Sequence, residues 1–129
     1  MSVSFNGTTG LTFNDGTQQS TLAPRAWVNF NGEDPFVANP TSVPIRAQSN
    51  VASITKNSTG DFTINFTTAM PDDKYATVYG GQFDNTGGAA FAVFGLARVA
   101  GAQASGSVRI ITGNTTLTDI PIVCVSIFR

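Results

Sequence analysis

The sequence predicts an all-β protein, an antiparallel β-sandwich of jelly-roll-like organisation, on three observations. From Asp61 to Thr68, Phe62, Ile64 and Phe66 alternate with Thr63, Asn65 and Thr67, the period of two that sends successive side chains to opposite faces of a strand. Clusters of Gly, Pro, Asn, Asp and Ser punctuate the chain at intervals of roughly 8 to 12 residues, the spacing of short strands in sandwiches and barrels. No segment repeats apolar residues at helical spacing over three turns.

Taken in order, residues 1–24 form an N-terminal segment rich in Gly, Thr and Asn, with Phe5, Leu11 and Phe13 as its apolar points. Asn14-Asp15-Gly16 tolerates the backbone angles of a tight hairpin turn, so an extended β-hairpin or attachment arm is expected there. The domain proper, 25–129, opens with a strand in which Ala26, Val28 and Phe30 face one way and Trp27 and Asn29 the other, stopped by Asn31-Gly32. Pro35, Pro40 and Pro44 make Glu33 to Pro44 a loop, because each removes a backbone donor and fixes φ; Phe36 and Val37 within it need cover. Pro44 to Thr55 lacks a clean alternation, which predicts a strand bent by a bulge near Gln48 to Asn50. The turn formers of Lys56 to Asp61, with Gly60 free to take positive φ, join it to the Asp61 strand as a hairpin. Pro71, Asp72 and Asp73 turn the chain into a strand from Tyr75 to about Phe83, and the run Asp84 to Gly88 is expected to close a second hairpin. Strands at Ala90 to Val99, Ser105 to Thr112 and Ile120 to Arg129 complete the set.

The 129 residues suit one domain with no separate catalytic unit. Charged residues are 12% of the chain, seven basic and eight acidic, about half the ~25% of an average soluble protein. Two readings follow: a surface carried by Thr, Ser, Asn and Gln, or a surface part of which is buried against other copies, since interface cores are depleted in charge. The basic residues are scattered singly, so no phosphate-tracking patch points to nucleic acid. No basic segment leads into a long apolar run at the amino terminus, and Ile120 to Phe128 is too short to span a bilayer, so no membrane insertion is expected. Without histidine, and with Cys124 alone in a Val and Ile run, Ser/His and Cys/His chemistry is excluded and Cys124 is expected to be a buried, inert thiol.

The carboxylate pairs Asp72-Asp73 and Glu33-Asp34 are expected in solvated turns, so no catalytic residue is assigned and the protein is read as no enzyme. A calcium site from Asp72, Asp73, Asp84 and Asn85 has suitable oxygens, but turn formation explains them, and neither metal nor cofactor is expected. For a ligand, Tyr75, Tyr79, Phe83, Asp84 and Asn85 combine rings that cover the apolar faces of sugars with groups that bond hydroxyls. The competing reading of the rings is sheet core or subunit interface. Trp27, Phe30 and Phe36 are read as packing or interface residues, and the four Asn-X-Ser/Thr triplets as chance in so Asn- and Thr-rich a chain.

Two blocks, RAWVNFNG at Arg25 to Gly32 and GDFTINFTTAMPDDKYATV at Gly60 to Val78, resemble a segment that recurs in phage tail-fibre proteins, and LTFNDGTQQSTLAPRAW before them resembles the "F.DGT.QTTA" element of such fibres. The resemblance covers roughly Leu11 to Val78. It implies a β-rich receptor-binding domain of a virion tail fibre, assembled as a homotrimer, made in the host cytoplasm, joined to other virion proteins through the N-terminal arm, and attached to a host surface glycan. A capsid decoration or head-fibre protein that stabilises the shell, or a free lectin-like module, are the alternatives. Because the blocks themselves read as strand, turn and strand, any ligand is expected at the loops Glu33 to Pro44 and Asp84 to Gly88.

Overall fold

In the computed structural model, the described residues are 4–6, 10–12, 18–19, 24–33, 43–82 and 93–129. Three short N-terminal strands, β1 (Ser4–Asn6), β2 (Gly10–Thr12) and β3 (Gln18–Gln19), form a sheet of their own in the order β1-β2-β3. Thr12 pairs antiparallel with Gln18; the Asn14-Asp15-Gly16 turn expected between them lies outside the described residues.

The rest is a sandwich of two antiparallel sheets. One has the order β5-β4-β12-β8, from β4 (Ala26–Phe30), β5 (Ile45–Ser49), β8 (Ala76–Gln82) and β12 (Ile122–Phe128). The other runs β10-β11-β7-β6, from β6 (Val51–Ser58), β7 (Asp61–Phe66), β10 (Gln103–Ala104) and β11 (Ser107–Gly113), with β9 (Val93–Leu96) beside β10 on the same edge of β11. No helix occurs among the described residues. The core lies between the sheets: Ala26, Val28 and Phe30 with Val123, Val125 and Ile127 from one, Ile54, Phe62, Ile64, Val108 and Ile110 from the other. Phe30 meets Phe62 edge-to-face across the gap, ring centroids 5.2 Å apart, a geometry that adds to area burial.

The alternation of β4 and β7 gives the expected buried faces, and β6 and β7 form the expected hairpin, with Gly60 at φ 63°. Two expectations fail. The Pro44 to Thr55 segment is not one bulged strand, because the chain leaves one sheet at Ser49 and enters the other at Val51. Asn50 makes the corner at φ 56°, a left-handed conformation that Asn tolerates better than most residues. Its amide donates to the carbonyls of Arg25 and Thr68 and its Oδ1 accepts from the Thr68 N–H at 2.7 Å. Nor do the strands on either side of Asp84 to Gly88 pair as the expected hairpin: β8 pairs with β12 and β9 with β11, in different sheets, and residues 83–92 themselves lie outside the described set.

Candidate functional site

The strands β4, β6, β8 and β11 finish at one end of the sandwich. The hairpin at 59–60 and the loop 114–121 are described there. The flanks of 34–42 and 83–92, namely residues 33 and 43, 82 and 93, lie at the same end, since Phe30 pairs with Ile45, Ile122 with Gln82, and Gly113 with Val93. The two loops from which ligand contacts were expected therefore start and finish together.

The base of this end is an ion pair that composition does not reveal. Lys56, 8% exposed, points inward from β6, and its Nζ lies 2.5 Å from Asp119 Oδ2 and 3.2 Å from the Gly32 carbonyl oxygen. The same ammonium stands 5.8 Å from the Phe62 ring centroid. Asp119 Oδ1 accepts from the Gly60 N–H at 2.8 Å, and the Gly60 carbonyl accepts from the Thr112 N–H. The ion pair thus clamps the segment after β4, through Lys56, to the β6-β7 hairpin and the β11-β12 loop, through Asp119. Beside the clamp, Ile111, Asn114, Thr116 and Leu117 help line a cavity of about 220 Å³.

Of the expected glycan residues, Tyr75 and Tyr79 lie among the described residues. Tyr75 belongs to the core at 6% exposure: its ring meets Phe66 edge-to-face, and its hydroxyl lies 3.0 and 2.9 Å from the carbonyl oxygens of Ala104 and Ser107. Burial pushes this phenol up to about 12, and the ring packs within the core. Tyr79 lies on the inner face of β8, stacked on Phe94 at a 5° interplanar angle. Its hydroxyl and that of Thr77 are buried without a hydrogen-bond partner among the described residues; burial raises the Tyr79 phenol, and the nearby Thr77 hydroxyl offsets part of the shift without good hydrogen-bond geometry. Phe83, Asp84, Asn85 and Phe36 lie outside the described residues. Phe30 is core at 0% exposure, whereas Trp27 is 37% exposed.

Asp72, once a candidate calcium ligand, is held by the Arg129 guanidinium, Nε at 2.9 Å and Nη2 at 2.6 Å, and by the Lys74 N–H. These bonds keep its carboxyl at about 2, below the ordinary 3.8. A carboxylate depressed on folding contributes stability that is complete above the unfolded pKa and drains as pH falls through the folded one. The expected carbon-13 carboxyl titration of Asp72 therefore has its midpoint near 2, and Arg129→Gln moves it upward; a wild-type midpoint at the ordinary value contradicts the bridge. Among the described residues no three His, Cys, Asp or Glu side chains assemble as a metal set.

The two outer sheet faces differ in kind. On the five-stranded sheet the outward residues bond one another: Asn65 Nδ2 donates to Ser53 and Thr55, Asn57 Nδ2 to Thr63 and Asp61, and Arg109 grips Asp61 through Nε and Nη2. That grip lowers the Asp61 pKa against the opposing effect of burial. On the four-stranded sheet the outward rows are Ser49-Trp27-Ser126-Val78 and Ala47-Asn29-Cys124-Gly80, followed on β12 and β8 by Ile122-Gln82 and Phe128-Ala76. None of the twelve is charged. Cys124 is not the buried thiol expected; it is half-buried on this face, its Sγ accepting from Asn29 Nδ2 at 3.1 Å.

Comparison with protein-family models, with curated proteins and with solved structures yields no match.

Proposed function

We propose that the protein is a structural component of a virion, a tail-fibre module that assembles as a homotrimer and attaches to a host surface glycan through the loop end of its sandwich. The observation that carries the reading is the uncharged outer face of the four-stranded sheet, set against a hydrogen-bonded polar face on the other. Antiparallel sheets with one face in water alternate apolar and polar residues along each strand. The five-stranded sheet obeys that rule; β12, with Ile122, Cys124 and Phe128 outward, departs from it.

The blocks that resemble fibre proteins supply the scaffold: Ala26, Val28 and Phe30, then Phe62, Ile64 and Phe66, are core. Attachment then falls to the loops at the clamped end, where a rigid base suits a binding surface. Several weak sites on one tip raise avidity without any of them being tight, which is what trimerisation contributes. The test is competition: the purified protein adsorbs to host cells and lowers phage adsorption in proportion to occupancy, and enzymatic stripping of the surface glycan abolishes both. Adsorption unchanged at saturating protein contradicts the attachment role.

A further inference from the structure

We propose that copies of this chain meet through the outer face of the four-stranded sheet and the adjoining β8 edge, so that the occupant of that surface is a second copy. This rests on the oligomeric reading above and adds to it the residues that make the contact.

Charge is the first argument. Trp27 and Val78 stand exposed at 37% and 55% on either side of Ser126, all three in one row across β4, β12 and β8. The neighbouring row, Ala47-Asn29-Cys124-Gly80, is also uncharged. At these positions a charged partner finds no countercharge; the nearest cation on β5, Arg46, lies toward the Ile122 end, where its Nη1 donates to the Pro121 carbonyl. A second copy brings an equally neutral surface, and interface centres are depleted in charge.

Area is the second. Four strands about 4.8 Å apart and about six residues long present about 400 Å² in projection, below the ~800 Å² that each partner of a standard interface contributes. The contact must run on over an edge, and the four edges of these sheets among the described residues are not alike. β5 carries Arg46 and a register shift against β4. β6 has two register shifts and the inward Lys56, and its Ile54 carbonyl is taken by the Val43 N–H. β9 and β10 are short, four and two residues. Charges, bulges and shortness are the devices that keep sheet edges from pairing with other chains. β8 has none of them: its seven residues, ATVYGGQ, hold unbroken register with β12 from Ala76 to Gln82, with neither charge nor proline. This edge borders the neutral face, so the two form one continuous surface.

The experiment is light scattering over a dilution series on the full chain, comparing wild type with Val78→Lys on the proposed surface and Ala52→Lys on the other sheet. Circular dichroism monitors the fold. The expected result is an oligomer for wild type and Ala52→Lys, and for Val78→Lys a dissociation constant raised ~100-fold or more, because an ammonium would be buried without a partner. Ala76→Lys, at the far end of the same strand, is read the same way should Val78→Lys lose its fold. Wild type and both β8 variants assembling alike overturns the surface and leaves the oligomer standing, held elsewhere. Wild type monomeric at every concentration overturns both.

Discussion

Asp119→Ala lowers stability by about 3 kcal/mol, the lower part of the range for breaking a buried ion pair from one side, because Asp119 is partly open to solvent. The substitution leaves the Lys56 ammonium, 8% exposed, facing the Gly32 carbonyl as an uncharged acceptor, and it orphans the Gly60 N–H at the hairpin. Lys56→Met costs less, about 1 kcal/mol, since an apolar chain of similar volume fills the site and the remaining carboxylate can hydrate while keeping Gly60. Urea unfolding of the two variants gives this ordering; equal losses, or the reverse, contradict the clamp.

Gly60→Ala is expected to cost about 3 kcal/mol or more. Its φ of 63° is left-handed, where a Cβ is penalised by ~1–2 kcal/mol. That Cβ would also lie 2.4 Å from the Thr112 oxygen and 2.6 Å from the Thr118 nitrogen. Both neighbours are backbone, and Thr112 is 1% exposed with its Oγ1 donating to the Thr118 carbonyl, so relief requires the loop to move as a unit. Gly101, at φ 72° with nothing within 4 Å of a Cβ, is the internal comparison. Gly101→Ala bears the conformational penalty alone, and a Gly60→Ala loss no greater than that of Gly101→Ala would show the clamped end to be loose.

Where a single strand decides its own faces, the fold was legible in the sequence. The alternation in β4 and β7 predicts Ala26, Val28, Phe30, Phe62, Ile64 and Phe66 as buried, and all six are. Legibility stops where the partner strand is distant. A run of turn formers states that the chain bends, not which strand it rejoins, so the strands flanking Asp84 to Gly88, expected to pair with each other, belong to different sheets. Asn50 looks locally like a bulge and is a corner for the same reason. For Tyr75 the sequence leaves both ligand contact and sheet core open, because the carbonyls that reach its hydroxyl lie 29 and 32 residues away.

The candidate surfaces divide in the same way. Low overall charge suggests that some surface is buried against copies, but only the registers of β4, β8 and β12 collect the neutral positions onto one face. In β12 the run IVCVSIF is nearly apolar at every position, which hides the distinction between inside and outside. The Lys56-Asp119 pair spans 63 residues, with Lys56 inside what reads as a turn cluster, and no local pattern announces it. The loops expected to contact a ligand were placed by their turn chemistry, and the strand ends that flank them do converge.

The most direct test of assembly through the neutral face uses Trp27, the single tryptophan of the chain, which sits on that face. Acrylamide quenching of its fluorescence is measured across a dilution series, with mass followed by light scattering. Weak quenching at high concentration that strengthens as the mass falls to the 13.5 kDa chain is the predicted result. Quenching that stays strong and constant while the mass changes would place the contact on another surface.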